Sequence, residues 1–124
     1  MLHIPGDVRE AIVFYQRAFG AVVGWSTPEA EDMVAQLLVG GRESDSAEFW
    51  VHPVGEEIGN PGPQPGGTPV RLMLIVEDPD AVFAEAVAAG AVVRSPMQDH
   101  DYGWRDGCVI DPMGHRWEIG KPLG

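Results

Sequence analysis

A single carboxylate, Glu118, stands between two large apolar residues, Trp117 and Ile119. Side chains alternate across a β-strand, so Glu118 turns away from both neighbours and shares a face with Arg116. A carboxylate held there can pair with a guanidinium, bind a cation or move a proton. Tryptophan is the second chemical feature. Trp25, Trp50, Trp104 and Trp117 all fall at strand positions or strand ends. An indole joins a wide apolar surface to one N–H donor and suits stacking on planar ligands. Trp104, within Tyr102-Gly103-Trp104-Arg105-Asp106, is the first choice for lining a binding cavity, and Trp50 is the second. His52 lies on the same strand face as Trp50 and is a third candidate. Trp117, opposite in sense to Glu118, is expected in the core. His115 follows a turn glycine and is expected to bond locally or face solvent. His100, between Asp99 and Asp101, is expected to be solvated. Cys108, the only cysteine, lies in a strand and reads as a small core residue rather than a nucleophile. The sequence has no Ser-His-Asp arrangement, phosphate loop or zinc-finger spacing.

The elements that must position these residues are legible from pattern. Cys108 to Ile110 and Trp117 to Ile119 are apolar runs flanking Asp111-Pro112-Met113-Gly114. Asp bonds its own backbone, Pro fixes φ and Gly takes a positive φ, so the segment predicts a hairpin. Further back, Met1 to Ile4 reads as a first strand. Asp7 and Glu10 form a capping box ahead of Val8, Ala11, Ile12, Tyr15, Ala18 and Phe19, which recur at helical spacing, and Gly20 ends that helix. Strands are expected over 21–25, 33–39 and 47–54, with turns at 26–29 and 42–46. The strand over 47–54 places Glu48, Trp50 and His52 on one face and Phe49 and Val51 on the other. Residues 55–69 hold five glycines and four prolines and predict a linker. A strand over 70–76 follows, then a helix capped by Asp78 with Pro79 in its first turn and Gly90 as its stop. Ala91 begins a further strand that Ser95-Pro96 should end. Strands over 104–110 and 115–119 close the chain.

An offset of 70 residues superposes the two halves. Ala11, Ala18, Gly20, Ala21, Val22 and Val23 fall on Ala81, Ala88, Gly90, Ala91, Val92 and Val93. Each half reads strand, helix, three strands. The expected fold class is α+β, a tandem pseudo-repeat of two βαβββ modules, with module one over 1–54, the linker over 55–69 and module two over 70–124. A curved half-sheet leaves apolar surface that a second half buries.

Composition narrows the function classes. At 124 residues the chain has the size of one domain. Its net charge of −11 repels nucleic-acid phosphates and anionic lipid, so neither nucleic acid nor membrane is an expected partner. The charge suits solubility and would attract a cationic small molecule. No apolar run approaches the roughly 20 residues that span a bilayer. Asp7, Arg9 and Glu10 interrupt the start, which does not read as a signal peptide. A lone cysteine suits a reducing, cytoplasmic location.

The pattern Asp-Pro-x-Gly-His-x-x-Glu over 111–118, together with the repeat, resembles the last hairpin of the vicinal-oxygen-chelate superfamily. That superfamily comprises glyoxalases, bleomycin- and fosfomycin-resistance proteins and extradiol dioxygenases. The resemblance implies a curved mixed sheet around a cavity shared by the two modules, helices on the outside, and a homodimer. In its metal-dependent members the closing glutamate is a ligand, so Glu118 is the corresponding metal residue. Glu48 and His3 are the further candidates, and such nitrogen and oxygen donors suit Ni, Zn, Mn or Fe. The set is incomplete. The offset places Met73 opposite His3, and the strand over 70–76 has no His, Glu or Gln. A thioether is a poor ligand for a hard ion, and Arg71 adds positive charge where a metal would sit. The alternative for Glu118 is a half-buried carboxylate paired with Arg71 or Arg116. The first functional reading is a binder of a small organic molecule, cationic or aromatic, lined by Trp104, Trp50, His52, Arg71 and Met73. The second is a metal-dependent lyase, isomerase or dioxygenase in which Glu118 is ligand and catalytic residue.

Overall fold

The computed structural model describes residues 2–27, 33–39, 47–54, 62–63 and 70–124. The linker expected over 55–69 lies outside them except for Gly62 and Pro63, as do the 42–46 turn and Pro28 and Glu29 of the 26–29 turn. The chain divides into two compact units, Met1–Pro63 and Gln64–Gly124. The first contains β1 (Leu2–Ile4), α1 (Val8–Phe19), β2 (Val22–Ser26), β3 (Ala35–Val39) and β4 (Ala47–Pro53). The second repeats the order with β5 (Arg71–Ile75), α2 (Pro79–Ala88), β6 (Val92–Asp99), β7 (Trp104–Ile110) and β8 (Arg116–Pro122). The strand orders are β1-β4-β3-β2 and β5-β8-β7-β6. In each sheet the first strand runs parallel to the last, and the remaining pairs are antiparallel. This is the α+β arrangement of two βαβββ modules.

Local chemistry accounts for both helices. The Asp7 side chain accepts from the Arg9 amide at 2.9 Å and starts α1. The Arg9 guanidinium closes on the same carboxylate and holds its pKa below the ordinary value, chiefly by hydrogen bonding. Gly20 ends α1 at φ 66°, a left-handed conformation that a side chain would disfavour. Val8, Ala11, Ile12, Phe14, Tyr15 and Ala18 form its buried face. Tyr15, with no exposed surface, meets Phe49 of β4 edge-on at 5.1 Å. In the second unit Asp78 caps α2 by accepting from the Ala81 amide at 3.2 Å.

The strand over 91–96 differs from expectation. β6 continues through Pro96 to Asp99. Proline lacks a donor, but β6 is the edge of its sheet, and its register against β7 shifts between Ser95 and Gln98. An edge strand with a bulge tolerates the missing hydrogen bond.

The β7–β8 hairpin turns on one buried carboxylate. Asp111 is 3% exposed. Its Oδ1 accepts from the amides of Met113 at 3.0 Å and His115 at 2.9 Å. Its Oδ2 accepts from Trp117 Nε1 at 2.8 Å. The core of the second unit then includes Trp117, Val109 and Ile119. Full burial of such a side chain stabilises by about 1.5–3 kcal/mol.

Replacing Asp111 by Asn sets an amide N–H₂ against one of these N–H donors. The loss should be about 1–3 kcal/mol. Denaturant unfolding should show a lower midpoint with an unchanged slope.

Candidate functional site

Each sheet has one face against its own helix and one turned away. In the second unit Gly107 of β7 lies under α2, where an added Cβ would come within 2.9 Å of Phe83. Gly107 pairs with Ile119 and Val109 with Trp117, which places these residues together on the helix face. The alternation then sends Trp104, Asp106 and Cys108 of β7 to the opposite face. Cys108 pairs with Glu118, and Glu118 pairs with Met73. Arg71 pairs with Arg116. The away face of this sheet therefore carries four of the sequence candidates together: Arg71, Met73, Trp104 and Glu118.

Glu118 is engaged on that face. Arg71 Nη1 donates to Glu118 Oε1 at 2.9 Å. Arg71 is mostly exposed and Glu118 is 28% exposed, so solvent screens the pair. Beside it, Met73 is 42% exposed. Cys108 is buried among these groups. Burial raises its thiol pKa first, and the Glu118 charge raises it further.

Toward the β6–β7 end of the same face lies a second cluster, which includes His100. His100 Nε2 meets Asp106 Oδ1 at 2.8 Å, and the Tyr102 hydroxyl donates to Asp106 Oδ2 at 3.0 Å. The His100 and Tyr102 rings stack, 4.7 Å apart and 8° from parallel. A tight hairpin builds this arrangement. The Gly103 amide donates to His100 O, the His100 amide donates to Trp104 O, and Gly103 takes φ 89°. Across the sheet from Asp106 is Gly120, where a Cβ would lie 2.6 Å from both Arg105 O and Asp106 Cβ. The missing side chain makes room for Asp106. His100 is accordingly not a solvated loop residue: its side chain is 22% exposed and bound to Asp106. The signal for the cluster was the alternation itself, since residues 104, 106 and 108 share a face once the Asp111 hairpin sets the register. Partial desolvation of its hydroxyl where it meets Asp106 is the first cause of the raised Tyr102 pKa, and the hydrogen bond to Asp106 is the second; the ring itself stays exposed.

In the first unit the face away from α1 holds His3, Glu48, Trp50 and His52. His3 pairs with His52 along the parallel β1–β4 ladder, and their ring centroids are 6.4 Å apart. His52 Nδ1 lies 2.7 Å from Pro53 O. Trp50 lies beside Trp25, with centroids 5.8 Å apart. Glu48 accepts a hydrogen bond from Gln36 Nε2. The residue opposite His3 is His52, as the residue opposite Met73 is Glu118. His52 and Glu118 are thus each the last-strand residue paired across the parallel ladder of their unit.

The fit to a divalent metal follows from these donors. In the second unit Glu118 has a guanidinium on one oxygen and a thioether as its β5 neighbour, a donor set that does not suit a hard ion. Among the described residues no three His, Cys, Asp or Glu side chains gather closely enough to hold a metal ion. Nor does any described helix have the length and apolarity to cross a membrane.

Residues 5–120 match the family described as a glyoxalase-like domain. An uncharacterised protein of Mycobacterium bovis is 35% identical over 123 residues, which are 97% of this chain and 80% of that protein. The crystal structure of TioX from Micromonospora sp. ML1 is similar with a TM-score of 0.71 and 26% identity, covering 99% of this chain and all of that one. TnmS3, an antibiotic binding protein from Streptomyces sp. CB03234, shares the fold with a TM-score of 0.69 at 21% identity, covering 98% of this chain and 92% of that one.

Because the Arg71–Glu118 pair is solvent-screened, Glu118→Gln should change the unfolding free energy by less than about 1 kcal/mol. A larger loss would mark the carboxylate as structural. The Cys108 thiol, buried and with a raised pKa, should react with a thiol reagent at pH 8 far more slowly in the folded protein than after unfolding in denaturant.

Proposed function

The chain belongs to the glyoxalase-like domain family, and from that premise we propose that it binds a small organic molecule, cationic or aromatic, without a complete metal site of the family type. One observation carries the reading. The carboxylate that the resemblance makes a metal ligand is held by Arg71 and faces Met73. A face that joins a guanidinium–carboxylate pair to a thioether and an indole suits an organic ligand with both apolar surface and polar groups.

Three further features support it. Trp50 and Trp25 in one unit and Trp104 and Tyr102 in the other give each away face aromatic surface. The net charge of −11 favours a cation. The same fold serves an antibiotic binding protein in Streptomyces. A homodimer and a cytoplasmic location belong to this proposal through the resemblance. Gel filtration at twice the 13.4 kDa chain mass would support the dimer.

A second reading has its own observation. His3 and His52 stand side by side in register, and paired imidazoles suit a divalent ion such as Ni or Zn. Under it the protein is a metal-dependent lyase, isomerase or dioxygenase.

Thermal unfolding separates the two. Chelator-treated, tag-free protein should be unchanged by Ni, Zn, Mn, Co or Fe(II), and stabilised by members of a panel of cationic and aromatic compounds. A ligand at one hundred times its dissociation constant adds about 2.7 kcal/mol, or several degrees in a domain of this size. A metal-induced rise that His52→Ala or Glu118→Gln abolishes would overturn the first reading and establish the second.

A further inference from the structure

We propose that the exposed ring of Tyr102, stacked on His100 and tied to Asp106, is the platform on which a planar cationic ring docks. This inference rests on the binding reading above and names its ligand class.

The argument begins with an unusual combination of exposure and order. Tyr102 is 66% exposed, yet it is fixed at two points. Its hydroxyl donates to Asp106 Oδ2 at 3.0 Å. One ring face lies on His100, with centroids 4.7 Å apart and planes 8° from parallel. His100 is in turn held by Asp106 at 2.8 Å through its Nε2. A free surface tyrosine would lose side-chain entropy when a ligand bound; this one is already ordered, and that loss is avoided. The hairpin maintains the alignment, with Gly103 at φ 89° giving the chain its turn. The second face of the Tyr102 ring is the one open to solvent.

Charge selects what stacks there. Asp106 has both oxygens occupied, by Tyr102 and His100, and is 15% exposed, so its negative charge sits at the polar edges of the two rings and is largely shielded from water. Glu118 adds a second negative charge felt at Tyr102, which Arg71 partly offsets. A π face with carboxylates close to its edge attracts a cation and disfavours an anion. A flat ring completes a three-layer stack with Tyr102 and His100, whereas a compact ammonium ion gains charge without stacking.

The test is a fluorescence titration with proflavine, a planar cationic dye. Naphthalene-2-sulfonate, a planar anion, and tetraethylammonium, a cation without a ring, serve as competitors. Proflavine should bind, and Tyr102→Ala should weaken it about tenfold. Tyr102→Phe, which keeps the ring and removes its tether, should fall between the two. Asp106→Asn should weaken proflavine several-fold. Tyr102 is exposed, so its substitution leaves the fold intact, and circular dichroism checks the Asp106 variant. Both competitors should be poor.

Equal proflavine binding by wild type and Tyr102→Ala would overturn the platform while leaving the broader binding reading in place. No proflavine binding at all would also overturn it, and the thermal-shift panel would then judge the broader reading separately. Competition by naphthalene-2-sulfonate equal to that of proflavine itself would overturn the assignment of a cationic ligand.

Discussion

The Asp111 carboxylate is the constraint on which the second unit depends. It is buried, and it receives two backbone amides and one indole N–H. A buried charge without partners costs several kcal/mol, whereas one with three donors organises whatever supplies them. Here it organises a turn and a strand at once. The amides of Met113 and His115 set the turn, and Trp117 is drawn to the helix side. Alternation then leaves Glu118 no choice of face. The same register places Cys108 beside Glu118 and Asp106 beside Gly120. A single side chain thus transmits its geometry along both strands of the hairpin.

From that register follows a division of labour between the sheet faces. Against α2 stand Trp117, Ile119, Val109 and Leu72, with Gly107 leaving space for Phe83. On the other side stand charged, aromatic and thioether groups. Packing against a helix favours apolar or small residues, because close-packed interiors exclude unpaired polar groups. The away face is released from that rule, and it is where polar side chains can serve a ligand. The first unit obeys the same scheme. Phe49 meets Tyr15 of α1, while His3, Trp50 and His52 lie opposite.

Charge is managed by a few cations. The chain has 19 acidic side chains against 8 Lys and Arg. Arg105 bridges Asp80 at the start of α2 and Asp99 at the end of β6, with contacts of 2.7 and 3.0 Å. Hydrogen bonding from Arg105 holds the Asp80 pKa below its ordinary value, and the two carboxylates raise that of Arg105. The bridge pins α2 and the β6–β7 hairpin from the helix face. Arg71, the guanidinium beside Glu118, works on the other. Most of the remaining negative charge is left to the surface, where it favours solubility and cationic partners.

Much of this was determined by the sequence alone, because the signals were local. Asp7, Gly20, Asp78 and Pro79 delimit helices through neighbouring backbone groups. Asp111 to Gly114 specify a hairpin within one turn, and the repeated Gly20-Ala21-Val22-Val23 segment betrays the two modules. What only the tertiary structure decided was non-local. Pro96 signals a break, yet β6 runs on because it is an edge strand that needs no donor there. Arg71 and Arg116 are equally plausible partners for Glu118 in one dimension; the parallel β5–β8 ladder brings Arg71 to it. His3 and His52 meet because the parallel β1–β4 ladder sets a register between distant segments that neither local pattern specifies. His100, Tyr102 and Asp106 lie close in sequence, but their union required a hairpin whose turn folds two rings onto one carboxylate. Local sequence specifies which elements form. The pairing of elements, governed by hydrogen bonds and packing between remote residues, specifies which side chains meet.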